Sequence, residues 1–80
     1  MILNRLYEII EESITIDKVD INEKTSTENT EGWDSLGHIT LLSALDEETE
    51  GKSADIPDLA QVSTVGDLIK CLQKNNLLEA

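Results

Sequence analysis

Few residues in this chain of 80 have the chemistry to act on another molecule: one histidine, one cysteine, and a serine beside an aspartate in the run Trp33-Asp34-Ser35-Leu36. The serine is the most informative, because a glycine-containing loop turns there into an apolar-periodic segment and puts its hydroxyl at a helix N-terminus. The first N–H groups of a helix have no intrahelical partner, and the peptide dipoles leave partial positive charge at that end. A phosphate ester on Ser35 would meet both donors and a favourable potential. That Asp34 or Ser35 simply caps the helix is the alternative the dipeptide leaves open. His38, three residues on, could share a helical face with Ser35 and activate it as a nucleophile. No oriented acid, oxyanion pocket or apolar enclosure accompanies the pair, so no residue is expected to be catalytic. Cys71 falls beside the apolar stripe of the last helical segment and reads as a partly buried structural thiol. One histidine and one cysteine cannot build a zinc site, and no stretch has the ligand spacing of an EF-hand, so no metal site is expected.

The elements that must position Ser35 follow from periodicity. Ile2, Leu3, Leu6, Ile9, Ile10 and Ile14 recur at helical spacing and predict a first helix. From Thr15 to Gly32 the chain turns polar, with Ile16, Val19 and Ile21 as the expected anchors of a long connection. Leu36, Ile39, Leu42, Ala44 and Leu45 predict a second helix that runs into an acidic stretch and stops near Gly51. Lys52 to Asp55 reads as a loop, Ile56-Pro57-Asp58 as the entry to a short helical turn through Ala60, and Ser63-Thr64 as the cap of a last helix striped by Val65, Leu68, Ile69 and Leu72. The tail from Lys74 to Ala80 is expected to fray unless Leu77 and Leu78 dock.

Composition limits the function. A chain this short buries about 60–65% of its unfolded surface, which leaves little room for an enclosed catalytic cavity. It is 39% hydrophobic with no Phe, one Trp and one Tyr, enough aliphatic material for a helical core and poor in strand-forming aromatics. One all-α domain spanning 1–80 is expected. Seventeen acidic against six basic residues give a net charge of -11, which repels nucleic acid and anionic membranes and favours basic protein surfaces as partners. No segment reads as a signal peptide or membrane span, and a cytoplasmic monomer is expected.

A small acidic helical domain that displays one serine and does no chemistry of its own resembles an acyl carrier protein. The matching residues are Asp34-Ser35-Leu36, the segment Leu41-Leu42-Ser43-Ala44-Leu45-Asp46-Glu47-Glu48, then Ile56-Pro57-Asp58, and Ser63-Thr64-Val65-Gly66-Asp67-Leu68. With the first helix, the resemblance covers nearly the whole chain. It implies a four-helix bundle with a short third helix, and 4'-phosphopantetheine as the cofactor, attached at Ser35 by a separate phosphopantetheinyl transferase. The arm's thiol would hold acyl groups as thioesters, in fatty acid, polyketide or another specialised biosynthesis. Asp34 matches a position that helps the transferase dock, and Leu36 an exposed one that inserts into partner enzymes. Ile39, Ser43 and Ile56 match positions near the arm or the partner surface. Asp46, Glu47 and Glu48 would meet Arg and Lys on an acyl- or aminoacyl-activating ligase and on acyl-transferring enzymes. Leu41, Leu42, Leu45, Ala60, Val62 and Leu68 match the family's apolar interior.

The chain departs from the fatty-acid pattern at several positions. Gly37 and Thr40 stand where many such carriers have acidic residues, Thr49 replaces a common core Phe, and the loop from Gly51 to Asp55 is longer. Trp33 before Asp-Ser resembles carriers of cell-surface sugar, secondary-metabolite or aminoacyl pathways, or else packs its loop onto the bundle. A small residue at Thr49 would shrink or loosen the interior, which points to a short or polar cargo. An aminoacyl or peptidyl carrier, and an unmodified acidic docking module, are the alternatives.

Overall fold

The periodic segments form three α-helices, α1 (Leu3–Ile14), α2 (Ser35–Glu48) and α3 (Val65–Lys74). The computed structural model describes residues 1–79. Among them the sole extended pairing is an isolated bridge between Ser26 and Thr64, so the fold is all-helical. α1 buries Leu6, Ile9, Ile10 and Ile14, and α3 buries Val65, Leu68, Ile69 and Leu72. Against these stripes α2 turns Gly37, Leu41 and Leu45, a run at four-residue spacing that keeps to one face. Leu36 and Ile39, included in the expected stripe of α2, stand 72% and 60% exposed. They belong to the opposite face, because about 100° of rotation per residue separates them from Leu41 and Leu45. Ile2 and Leu3 are likewise exposed, at the uncovered edge of the first turn.

Where the short third helix was expected, the chain makes a 3-10 turn over Pro57–Gln61. The segment read as a loop is a second such turn, Lys52–Asp55. Gly51, at φ 87°, reverses the chain before the first, and Pro57, with no N–H to give, opens the other. A third 3-10 turn at Lys18–Asp20 explains why Val19 fails as an anchor. Successive side chains there rotate by about 120°, so Val19 points away, 91% exposed, while Ile21 is buried and Ile16 half-buried. Besides Ile21 and Ile16, the backbone fastens the connection: Val65 N–H to the Thr25 carbonyl, Gly66 N–H to Glu23 and Thr27 N–H to Ser63 tie it to the start of α3.

α3 ends more firmly than its sequence suggested. Asn76, left-handed at φ 60°, lets its own N–H reach the Gln73 carbonyl and the Leu77 N–H reach Leu72, the paired bonds of a Schellman motif. Leu78 is buried and Leu77 half-buried, so the tail docks through Glu79, whose N–H donates to the Met1 carbonyl. Ala80, the end of the segment expected to fray, lies outside the described residues. α2 stops by the same device, with Glu50 left-handed at φ 56° and Gly51 N–H bonded to the Asp46 carbonyl.

Candidate functional site

Asp34 is the N-cap of α2, extended in backbone, and its Oδ1 accepts from the Gly37 N–H at 2.8 Å. The cap uses one orphan donor of the first turn and leaves the N–H groups of Ser35 and Leu36 without an intrahelical acceptor. Ser35 is the first helical residue and is exposed. It borders a hollow of about 530 Å³ lined also by Thr27, Asp34, His38, Ile39, Ala60 and Val62. No Lys or Arg is among these lining residues, so helix dipole, free N–H groups and the Thr27 hydroxyl are what a phosphate would meet. Those groups fit a phosphodiester at Ser35.

The turn that presents Ser35 depends on close backbone approach. A Cβ at Gly37 would overlap the Gly32 carbonyl oxygen, and a Cβ at Gly32 would overlap the Ile14 carbonyl oxygen. The end of α1, the loop and the start of α2 are therefore stacked backbone against backbone. This accounts for Gly37, a departure from the fatty-acid pattern: no acidic side chain can be attached at that position without moving the loop.

His38 does not face Ser35 as a base. The Trp33 indole N–H, which can only donate, gives its proton to His38 Nδ1 at 3.0 Å. Nε2 therefore carries the ring proton and donates it to the Leu59 carbonyl at 3.0 Å. The two rings stack at 6.1 Å with 25° between their planes. Trp33 itself is 1% exposed, so it packs its loop onto the bundle. The bridge from Trp33 through His38 to Leu59 joins the loop, α2 and the Pro57–Gln61 turn. Sequence reading missed it, because neither the indole five residues earlier nor a carbonyl twenty-one residues later is signalled by local spacing.

Around Ser35 the remaining candidates separate. Leu36 and Ile39 are exposed beside it, and Ile56 is half-buried across the groove from Ile39. Glu47 is exposed and Asp46 half-buried. Glu48 is engaged within the chain: Arg5 Nε and Nη2 donate to its Oε1 at 3.1 and 3.0 Å. That hydrogen bond, then the Glu48 charge, holds the Arg5 guanidinium above its ordinary value. Leu41, Leu45 and Leu68 lie in the interior, Leu42 and Val62 only partly so, and Ala60 is exposed on the rim of the hollow, contrary to its expected interior place. Burial pushes the half-buried Cys71 thiol up, Asp58 adds to the shift, and Lys74 opposes it.

Thr49, where a Phe is common, is held by hydrogen bonds and lines a hollow of about 200 Å³ with Met1, Glu48 and Leu77. Its buried hydroxyl donates to the Leu45 carbonyl at 2.8 Å and accepts from the Ser53 N–H at 3.0 Å, which seats the Lys52–Asp55 turn on the end of α2.

The family model described as "Phosphopantetheine attachment site" matches residues 4–72. An acyl carrier protein of Phenylobacterium zucineum (strain HLK1) is 35% identical over 75 residues, covering 91% of each chain. One from Thermotoga maritima is 32% identical over 74 residues, covering 91% of this chain and 89% of its own. No solved structure matches the chain. With the helical fold and a capped helix start that offers an exposed serine, these matches show that the chain belongs to the acyl carrier protein family: a carrier, not an enzyme, whose acyl cargo rides on 4'-phosphopantetheine.

Proposed function

We propose that Ser35 is the residue that takes the phosphopantetheine. The observation that carries this reading is its position: the first residue of α2, exposed, beside free N–H groups and an open hollow. Ser35 Oγ, presented to a phosphopantetheinyl transferase, forms the new bond to phosphorus and gives its proton to that enzyme, while the nucleotide part of coenzyme A departs. Once attached, the group supplies a thiol on which acyl groups are held as thioesters. Asp34 fixes the turn through its cap and offers the transferase an exposed carboxylate.

Leu36 and Ile39 form the apolar part of the partner surface, with Ile56 at its edge and Glu47 as its free charge. Exposed apolar anchors next to the attachment point supply affinity, and acidic groups steer encounter with basic partner enzymes, including the acid-activating ligase. The Pro57–Gln61 turn takes the place of the short third helix of a four-helix bundle. Residues 1–80 act as one carrier domain, monomeric and cytoplasmic. Among the described residues no helix is long and apolar enough to cross a membrane.

Intact-protein mass spectrometry after incubation with coenzyme A and a broad-specificity transferase tests the assignment. Wild type is expected to gain one phosphopantetheine and Ser35→Ala none. A wild type that stays unmodified with several transferases would move the chain to an unmodified docking role.

A further inference from the structure

The contact between Trp33 and His38 exists in one charge state of the imidazole only. Nδ1 accepts from the Trp33 indole N–H and Nε2 donates to the Leu59 carbonyl, both at 3.0 Å. A proton taken up by this ring goes to Nδ1, the nitrogen that carries none, and turns the acceptor into a donor. Two N–H groups then face each other, and the indole, which can only donate and is 1% exposed, is left without a partner. The bond to Leu59 survives, because Nε2 donates in both states. Protonation therefore opens the bridge on the side of the loop and leaves it closed on the side of the Pro57–Gln61 turn.

The ring is half-buried and lines the hollow beside Ser35, so protons from solvent can reach it. Among the described residues that line this hollow, Asp34 is the one other charged side chain, and none is Lys or Arg. Asp34 and Ser35 precede His38 by four and three residues, the spacings that share a helix face. Along α2 no further charge occurs before Asp46. In the loop, Glu28 and Glu31 are exposed and lie outside the hollow. On the turn, Asp58 lines a separate hollow with Lys70, Cys71 and Lys74. The nearest fixed charge thus favours an imidazolium, and a phosphodiester on Ser35 would add a second anion on the same side.

We propose that the Trp33–His38 contact is an acid-released latch on the loop that presents Ser35, and that a phosphodiester on Ser35 eases its release. The second part rests on the assignment of Ser35 as the attachment point, and the first does not. What the latch holds is the segment from Gly32 to Asp34, whose backbone is stacked between the end of α1 and the start of α2. Freeing the indole loosens the segment that aims Ser35, so acidity and loading together set how firmly the base of the arm is held. An anion three or four residues before an imidazolium favours the charged form about twofold. The loaded protein therefore opens at about half the proton concentration that the unloaded one needs.

The chain has one Trp and one His, so a single indole N–H and a single pair of ring nitrogens report the latch. The test titrates the 15N-labelled full chain, unloaded and phosphopantetheine-loaded, from about pH 8 to pH 5, the range in which an imidazole changes charge. The indole resonance is expected to move upfield in step with protonation of the ring nitrogens, and the Gly32 and Asp34 amides to follow it. Loaded protein is expected to reach its midpoint at about half the proton concentration. His38→Gln, which keeps an acceptor and a donor but takes no proton, is expected to hold the indole resonance still. An indole that stays fixed in wild type while the ring titrates, or a ring that takes no proton above pH 5, would overturn the latch, and neither result needs a variant. An identical response in His38→Gln would overturn it as well. Equal midpoints in loaded and unloaded protein would remove the link to Ser35 alone. If the chain cannot be loaded, the assignment of Ser35 and that link fall together, while the unloaded titration still decides the latch.

Discussion

Both nitrogens of His38 are committed, one to the Trp33 indole and one to the Leu59 carbonyl. Removing the imidazole therefore strands a donor on a buried Trp and an acceptor on the Pro57–Gln61 turn. Unsatisfied groups of this kind cost about 1–3 kcal/mol each, less where water can reach them. His38→Ala is expected to lower unfolding free energy by about 2 kcal/mol and to shift Trp33 fluorescence, while phosphopantetheine loading of the folded protein persists. Denaturant titration followed by intact mass checks both parts. A variant as stable as wild type would mean the bridge contributes little, and a variant that folds but cannot be loaded would give His38 a direct role at Ser35. Asp34 and Thr64 show the same economy at the helix starts, each capping with one side-chain oxygen, Asp34 to Gly37 and Thr64 to Asp67.

At the scale of elements, the site depends on how tightly the start of α2 sits on the preceding loop. Gly37 is helical and buried, and its missing Cβ is what admits the Gly32 carbonyl. In an open helix Gly→Ala gains roughly 1 kcal/mol from backbone entropy. At position 37 the sign reverses: Gly37→Ala is expected to destabilise by about 1–3 kcal/mol through overpacking against backbone that cannot swing aside. Thermal unfolding measures it directly, and a rise in Tm would refute the close approach. The second element that matters is the pair of 3-10 turns. They are held by side-chain hydrogen bonds: the Thr49 hydroxyl on one and His38 on the other. Since the same turns wall the groove beside α2, the cap and the bridge also fix the shape available to cargo.

The molecule as a whole measures 27 × 23 × 18 Å and carries a net charge of -11. Its one cross-helix ion pair among the described residues joins Arg5 to Glu48, so most acidic groups are left outside ion pairs. At 0.01 M salt the Debye length is about 30 Å, longer than any dimension of the protein, and at 0.15 M it falls to about 8 Å. Self-repulsion across the whole surface is thus unscreened in the first condition and local in the second. Tm is expected to rise by about 5 °C between them, equivalent to roughly 1 kcal/mol for a domain of this size, and to rise further with magnesium bound to the folded state. A Tm flat across both series would show that the acidic side chains are spaced widely enough not to oppose folding. Partner encounter should weaken over the same salt range, because steering uses the same field.

Much of this architecture was legible in the sequence because it rests on local rules. Helical periodicity predicted α1, α2 and α3, and the caps of α2 and α3 fall within the pairs that read as caps, Asp34-Ser35 and Ser63-Thr64. The order of the Asp-Ser-Leu, Ile-Pro-Asp and Thr-Val-Gly-Asp segments carried the family before any coordinate was known. What periodicity could not decide was which face of α2 is inside. Apolar residues occur on both sides of that helix, and only packing against α1 and α3 put Leu41 and Leu45 in the core and left Leu36 and Ile39 outside. The docking of Leu78, the outward turn of Val19 and the 3-10 form of the third segment depend in the same way on neighbours distant in the chain. So does the bridge through His38. The amino-acid sequence by itself determined a helical carrier with a serine at a helix start, since those features follow from spacing within a few residues. The tertiary structure alone decided that the histidine holds the fold together, that Gly37 must be glycine, and that Asp46 lies half-buried with an unpaired oxygen, since each depends on a contact between segments that folding brings together.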